Sequence, residues 1–215
     1  NDDYTASATL TKFNVVDTEG ISDINFAAVT TSTITSGSGN DTIDISGALS
    51  GSTVTAGAGD DQLDLTSAAL SGTSATVVYL GAGNDTVNFT GNIDDTTISA
   101  GSGGNNLIDL DGTVGASNGV TVTLGGGNDT VNIAANAVTK ASFALGTGSN
   151  LFITENDESS ADQLTTISAG GGSDTIRFVD VDAAVSDNFF GPVSGIEVVE
   201  YAATTDNVAV NIGLK

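Results

Sequence analysis

The chain lacks several residue types on which large classes of proteins depend. Its 215 residues include no cysteine, histidine, methionine or tryptophan, and only one proline. The absence of cysteine excludes disulfides and thiolate metal sites, and the absence of histidine excludes the usual catalytic triads and zinc centres. No pair of carboxylates stands apart from the sequence repeat described below, so we expect no enzymatic activity. Because methionine is absent even at position 1, we expect a fragment or a processed form of a longer protein.

Basic residues are also scarce. Four Lys and Arg residues stand against 27 Asp and Glu residues, which gives a net charge of −23. Nucleic acids and anionic membranes are bound through basic surfaces, so neither is an expected partner. No apolar run approaches the roughly 18 residues of a membrane span, and membrane insertion is not expected. Such uniform acidity destabilises a compact chain by self-repulsion unless cations bind to it.

Glycine, in contrast, is abundant and marks a repeat. The pattern Gly-x-Gly-Asn-Asp-x-apolar-x-apolar is clearest at residues 125–133, and variants of it recur through the chain. The acid or amide that follows the glycines steps forward by 20 to 24 residues from one copy to the next. A sustained period of this length is typical of a solenoid, in which each repeat buries its apolar face against its neighbours. The other six copies are Gly37–Ile45, Gly57–Leu65, Gly81–Phe89, Gly103–Leu110, Gly146–Phe152 and Gly170–Phe178.

Each copy predicts a sharp turn followed by a short strand. Glycine allows the positive φ that a tight turn requires, and the alternating apolar residues behind it give a strand with one buried face. A second strand is predicted before each turn, where residues such as Ile34 and Val54 hold the inward position. We therefore predict an all-β parallel solenoid of seven coils at residues 32–178. Residues 1–31 would form an N-terminal cap or atypical first coil, and residues 179–215 a C-terminal cap or linking strands.

The repeat resembles the RTX nonapeptide family, whose tandem Gly-Gly-x-Gly-x-Asp-x-apolar-x units form a calcium-binding β-roll. The resemblance covers about residues 32–178, although the first glycine of the family's unit is replaced in this chain, for example by Ser36 and Ala56. It implies a right-handed parallel β-solenoid with one Gly-x-Gly-x-Asp calcium turn per coil and with atypical terminal coils. Several Ca²⁺ ions would lie along one edge, because carboxylate and carbonyl oxygens are the ligands that Ca²⁺ prefers.

The resemblance also implies ligand residues by position. The acids of five copies would bind the ions with the help of the glycine turns, whereas two copies carry asparagine in place of the acid. The metal residues implied in this way are Asp41, Asp61, Asp85, Asp129, Asp174, Asn106, Asn150, Gly37, Gly39, Gly57, Gly59, Asp60, Gly81, Gly83, Gly125, Gly127, Gly170 and Gly172.

Alternatives stay open for these acidic positions. The Gly/Asp turns could be Asx-type turns without metal, because Asp and Asn favour such turns. A second ladder of acids and amides, on outward strand positions behind the turns, suits a solvated face better than a metal site. The acidic segment at residues 155–162 could form a solvated loop or hold one more ion. The outward ladder consists of Asp44, Asp64, Asn88, Asp109 and Asn132.

The resemblance implies an extracellular structural protein that depends on calcium. We expect a subunit or domain of a bacterial surface layer, sheath or filament, located at the cell surface after type I secretion. The expected partners are further copies of the chain in a lattice or filament, with a cell-surface glycan or another surface protein as additional candidates. The alternatives are a calcium-stiffened spacer module of a large adhesin and a secretion domain of a larger enzyme. Ice binding is disfavoured, because Thr147 is the one threonine found between the paired glycines of the turns.

Overall fold

The protein is a β-solenoid of about eight turns built from parallel strands. The described residues contain no helix, and therefore none that could cross a membrane. The architecture matches the predicted right-handed parallel β-roll, which is the hand that connections between parallel strands almost always adopt. The computed structural model describes residues 2–65, 75–115, 118–134, 138–154, 166–179 and 193–201.

Sheet A contains the strands that follow the glycine turns. Its strands are β1 (Asp2–Thr11), β3 (Ser22–Thr30), β5 (Thr42–Ile45), β6 (Leu49–Ser50), β8 (Gln62–Leu65), β10 (Thr86–Phe89), β12 (Leu107–Leu110), β14 (Thr130–Ile133), β16 (Leu151–Thr154), β18 (Thr175–Phe178) and β20 (Val198–Tyr201). They lie side by side in chain order, except that β6 pairs with β3 outside this path. Each coil therefore adds one strand to the sheet and hydrogen-bonds to the coils before and after it.

Sheet B contains the strands that precede the glycine turns. Its strands are β2 (Asn14–Val16), β4 (Thr33–Ser38), β7 (Thr53–Ala58), β9 (Thr76–Ala82), β11 (Thr96–Ser99), β13 (Val120–Thr123), β15 (Ala141–Ala144), β17 (Thr166–Ser168) and β19 (Val193–Ser194). The chain alternates between the two sheets, and the strands of sheet B are also ordered as they are in the chain. Consecutive turns of the same type are thereby placed directly above one another along the edge where sheet B leads into sheet A.

The core lies between the two sheets. Sheet A contributes the residues predicted to face inward, such as Val87 and Phe89, and sheet B contributes residues such as Val78 and Leu80, all four fully buried. The strands β8, β10 and β12 of sheet A pair in register, as do β9, β11 and β13 of sheet B, so these side chains stack in columns. Burial of one such side chain contributes roughly 1.5–3 kcal/mol to folding. Because every column continues into the next coil, each coil stabilises its neighbours.

Both terminal regions continue the two sheets. Residues 1–31, predicted as a cap or atypical first coil, provide β2 and β3, which pair with β4 and β5 of the next coil. At the other end β20 pairs with β18, and the ring of Tyr201 stacks on that of Phe178 with centroids 5.1 Å apart. Much of residues 179–215 lies outside the described residues, as does the acidic segment at 155–162. The domain boundaries drawn from the sequence stay predictions.

Candidate functional site

Two columns of glycines form the turns along one edge of the solenoid. Gly81 and Gly83 represent the two columns and have φ values of 108° and 135°, which residues with a side chain rarely adopt. A Cβ atom on either one would overlap the carbonyl oxygen of the equivalent glycine one coil earlier, Gly57 or Gly59. The stacking of coils therefore requires these glycines, whatever binds beside them. The other predicted metal-turn glycines in the two columns are Gly37, Gly39, Gly125, Gly127, Gly170 and Gly172.

The fourth turn differs from the predicted motif. Gly101 occupies the first column there, because a Cβ atom on it would overlap the carbonyl oxygen of Gly81. Gly103, which the sequence pattern placed at this position, has no atom within 4 Å of its Cβ position. Gly104 continues the second column. The turn contains one residue more than the other copies, so the prediction of Gly103 as the first glycine of this copy is wrong.

The acid or amide after each glycine turn forms a buried column, which we call the inner column. Each side-chain Oδ1 accepts a hydrogen bond from the backbone N–H of the equivalent residue one coil earlier. The N–H of Asp41 donates to Asp61 at 2.8 Å, and that of Asp61 donates to Asp85 at 3.0 Å. Asp and Asn both offer this oxygen, which explains why either residue type occupies the column. Its members, each at most 2% exposed, are Asp41, Asp61, Asp85, Asn106, Asp129, Asn150 and Asp174.

The inner column extends one coil beyond the predicted motif at each end. The backbone N–H of Ser22 donates to Oδ1 of Asp41, and the Ser22 hydroxyl donates to Oδ2 of Asp17. At the other end the N–H of Asp174 donates to Oε2 of Glu197. Sequence reasoning missed Asp17, Ser22 and Glu197. Ser22 and Glu197 lie 19 and 23 residues from their column neighbours, so the repeat period could have identified both positions.

Each carboxylate of the inner column keeps one oxygen, Oδ2, without a hydrogen-bond partner. These oxygens are buried, and an unsatisfied buried polar group costs about 1–3 kcal/mol, or more if it is charged. The asparagines differ, because the Nδ2 of Asn106 donates to Oδ1 of Asp129 at 2.9 Å and that of Asn150 to Asp174 at 2.8 Å. The unpaired oxygens are the Oδ2 atoms of Asp41, Asp61, Asp85, Asp129 and Asp174.

Burial makes ionisation of several column carboxyls unfavourable. It is the main reason that the pKa of Asp61 is raised from 3.8 to about 7. The negative charges of Asp85 and Asp41 act in the same direction, while the hydrogen bond from the Asp41 N–H opposes them. Burial likewise raises the pKa of Asp85 and of Asp129. At neutral pH Asp61 is therefore close to its own pKa, so that a proton or a cation would offset its buried charge.

A second column runs beside the inner one on the exposed side of the turns. Its side-chain oxygens accept from the backbone N–H of the following coil, so its hydrogen bonds run opposite to those of the inner column. Oδ1 of Asp60, a predicted metal residue, accepts from the backbone N–H of Asn84 at 2.7 Å and from its Nδ2 at 3.0 Å. The two columns together bond each turn to both of its neighbours. This outer column consists of Asn40, Asp60, Asn84, Asn105, Asn128 and Ser149.

The inner column offers cations a partial set of ligands. The unpaired oxygens of Asp41, Asp61 and Asp85 belong to three successive coils, and carboxylate oxygens suit Ca²⁺. Within the described ranges no group of three acidic side chains is placed to hold an ion together. Ca²⁺ takes about six to eight oxygens, so backbone carbonyls and water would have to complete each site. The turns of Asn106 and Asn150 fit less well, because their Nδ2 groups donate towards the neighbouring acid.

The outward ladder on sheet A is a separate feature. Its residues lie in register on β5, β8, β10, β12 and β14. Nδ2 of Asn132 donates to Oδ1 of Asp109 at 2.9 Å, an amide-to-carboxylate bond that a solvated ladder favours. The buried Oδ1 atoms of Asp44, Asp64 and Asn88 have no partner. The alternatives of solvated ladder and metal site therefore both stay open for these positions.

Comparison with known proteins identifies no relative of this chain. No protein-family model matches it, and no curated protein or solved structure is significantly similar to it. The likeness to the RTX family thus depends on the sequence repeat itself.

Proposed function

We propose that the chain is a calcium-dependent extracellular structural protein of the RTX type, in which Ca²⁺ orders the solenoid by binding along the inner column. One observation carries this proposal: five buried carboxylates stack in phase, and each keeps an oxygen that no protein group satisfies. Backbone hydrogen bonding needs one acceptor oxygen per coil, which asparagine supplies equally well. The second oxygen of each aspartate therefore suits a ligand better than a purely structural turn.

Two kinds of oxygen in this chain would bind the Ca²⁺ ions. Asp41, Asp61 and Asp85 would supply carboxylate oxygens from successive coils, and the glycine turns would supply carbonyl oxygens beside them. A divalent cation bound there would reduce the repulsion between these carboxylates and would offset the cost of burying their charge. The ions have no catalytic part in this proposal. Their effect is to link adjacent coils, because the chain has no cysteine and therefore no disulfide that could do so.

An extracellular location is proposed because Ca²⁺ is abundant there. Extracellular modules bind it with dissociation constants of about 10⁻⁴–10⁻³ M, so such sites would be filled outside the cell. We propose type I secretion and a place in a bacterial surface layer, sheath or filament. The solenoid is a stiff building element, since eight coils at about 4.8 Å each form a rod roughly 38 Å long. That stiffness also suits the alternative role of a spacer in a large adhesin.

Microscopy and light scattering distinguish these roles. Purified protein is titrated with Ca²⁺, and with NaCl at matched ionic strength as the control. Sheets or filaments that form in millimolar Ca²⁺ alone are the expected result for an assembly subunit. Monodisperse rods in the presence of Ca²⁺ would replace the assembly proposal by the spacer alternative. No response to Ca²⁺ in shape, assembly or stability would contradict both.

A further inference from the structure

The outward positions on the described strands of sheet B carry no charged side chain, although the chain as a whole is strongly acidic. The nine strands of this sheet contain no Asp, Glu, Lys or Arg. The outward positions of sheet A, in contrast, include Asp44, Asp64 and Asp109. The described strands of sheet B therefore contribute no charge to their outward face, although the chain has a net charge of −23.

Hydroxyl groups occupy most of this neutral face. Two outward rows run along the solenoid, with successive coils about 4.8 Å apart and the two rows about 6.6 Å apart along each strand. In-register pairing aligns the side chains within each row, so the hydroxyls form a grid. The first row is Thr33, Thr53, Val77, Thr97, Thr121, Ser142 and Thr166, and the second row is Thr35, Thr55, Tyr79, Ser99, Thr123, Ala144 and Ser168.

One aromatic ring stands within this grid. Tyr79 is 48% exposed and pairs in register with Thr55 on one side and Ser99 on the other. Val77 precedes it by two residues on the same face and extends the apolar surface beside the ring. On the described strands of sheet B, Tyr79 is the one aromatic residue at an outward position. The face thus combines an exposed ring, an adjoining aliphatic side chain and surrounding hydroxyls.

This combination matches an uncharged polysaccharide better than other partners. A pyranose ring has a face of C–H groups that stacks on an aromatic ring, and its hydroxyls bond to Thr and Ser hydroxyls around that ring. A polyanion would be repelled by a chain of net charge −23. A second copy of the same face is a less suitable partner, because the long and 48% exposed side chain of Tyr79 lies among the shorter Thr and Ser side chains of the grid.

We propose that the outward face of sheet B binds a neutral glycan chain, with Tyr79 as the stacking platform and the flanking Thr and Ser residues as hydrogen-bonding partners. The inner column lies at the turns and contributes nothing to this face, so the inference goes beyond the calcium-dependent function. Glycan binding should persist under any condition in which the solenoid is folded.

Affinity electrophoresis tests the role of the ring. Native gels contain hydroxyethyl cellulose, a soluble β-1,3-glucan or dextran, and the whole chain is run with Ca²⁺ present. We expect retardation by at least one of these glycans, weakened about tenfold by Tyr79→Ala and retained by Tyr79→Phe, which keeps the ring. The chain has no tryptophan, so tyrosine emission offers a second readout of the same binding.

A charge placed on the face supplies a matched comparison. Thr97→Asp adds a carboxylate beside Val77 on sheet B, whereas Thr86→Asp adds the same group at an outward position on sheet A. We expect the first variant to lose retardation and the second to keep it, with both melting at similar temperatures. The proposal is overturned if no neutral glycan retards the wild-type chain, or if Tyr79→Ala and Thr97→Asp bind as well as wild type. If the chain folds and binds glycan equally well without Ca²⁺, the proposed calcium function is contradicted, whereas the proposed glycan binding is supported.

Discussion

A single side-chain oxygen decides which residues fit the inner column. Oδ1 accepts a hydrogen bond from the backbone N–H of the neighbouring coil, and both Asp and Asn provide this oxygen. The residues differ at the second atom, where Asp leaves a buried oxygen unpaired and Asn106 donates from Nδ2 to Asp129. Asparagine is therefore the better residue for a metal-free solenoid, and aspartate is the better residue for one that binds cations.

The variant Asp61→Asn separates these two roles. Without Ca²⁺ it should raise the free energy of unfolding by about 1 kcal/mol, because it removes an unpaired buried oxygen and adds an amide that can donate to Asp85. With Ca²⁺ it should lower stability relative to wild type, because a ligand is lost. Urea unfolding in chelator and in Ca²⁺ measures both values. Asp3→Asn, at an exposed position of β1 and outside the predicted metal residues, is the control. If Asp61→Asn lost the same stability with and without Ca²⁺, a ligand role for Asp61 would be contradicted.

The glycine columns allow a test that does not involve metal. Gly81→Ala places a methyl group on the carbonyl oxygen of Gly57 and forces alanine to a φ of 108°. We expect a loss of at least about 3 kcal/mol, from backbone strain and overpacking together. Gly171→Ala meets no atom within 4 Å and should change stability by less than about 0.5 kcal/mol. Chemical denaturation compares them, and similar losses in the two variants would show that the coils do not stack as described.

At the scale of the strand, apolar alternation determined most of what could be predicted. The inward residues of sheets A and B follow the alternation that the sequence indicated. In β16 a polar residue takes an inward position, since Thr154 is buried and Ile153 is only partly buried. The turns were less predictable. The fourth turn takes one extra residue, so the glycine of its first column is Gly101, whereas the repeat pattern indicated Gly103. Local spacing cannot reveal which glycine meets the carbonyl of a neighbouring coil.

The ends of the inner column escaped prediction for a different reason. Ser22 has no carboxylate of its own, and its hydroxyl donates a hydrogen bond to the carboxylate of Asp17, five residues earlier. Glu197 reaches the N–H of Asp174 with a longer side chain and without a Gly-x-Gly turn before it. The motif therefore defines seven positions, whereas stacking of the backbone defines the column. A motif search finds only those coils that keep the full motif.

Strand register gives a direct prediction for adjacent residues. Ile108 is fully buried, whereas Leu107, its neighbour in β12, is 38% exposed. Ile108→Ala should cost about 2–5 kcal/mol and Leu107→Ala less than about 0.5 kcal/mol. Urea unfolding of the two variants checks the assignment. Equal costs, or the reverse order, would show a slip of one residue, because such a slip exchanges the two faces of a strand.

Acidity acts on the molecule as a whole. Net charge of −23 opposes compaction, and burial raises the pKa of Asp61 to about 7 and also that of Asp85 and Asp129. A carboxyl whose pKa is higher in the folded than in the unfolded chain stabilises the fold below its unfolded pKa. That stabilisation is lost as the pH rises through the folded pKa. The metal-free solenoid is therefore weakest on the alkaline side of neutrality.

The raised pKa of Asp61 predicts how the melting temperature depends on pH. In chelator, the melting temperature should fall as the pH rises from about 5 to about 8, the range that includes the raised pKa of Asp61. In millimolar Ca²⁺ the fall should be much smaller, because the cation takes the place of the proton. Thermal melts across this range in both conditions provide the measurement. A melting temperature that rises with pH in chelator would contradict the burial of ionisable carboxyls in the inner column.

The most direct test of the central claim compares wild type with the triple variant Asp41→Asn, Asp61→Asn, Asp85→Asn as Ca²⁺ is added. Binding to the folded state alone adds RT ln(1 + [Ca²⁺]/Kd) per site, about 2.7 kcal/mol at a hundredfold excess over Kd. Thermal melts followed by circular dichroism, with NaCl at matched ionic strength as the control, should show a large rise in melting temperature for wild type and a much smaller one for the variant. A wild-type melting temperature that does not respond to Ca²⁺, or a variant that responds as strongly as wild type, would contradict the assignment of the ions to the inner column.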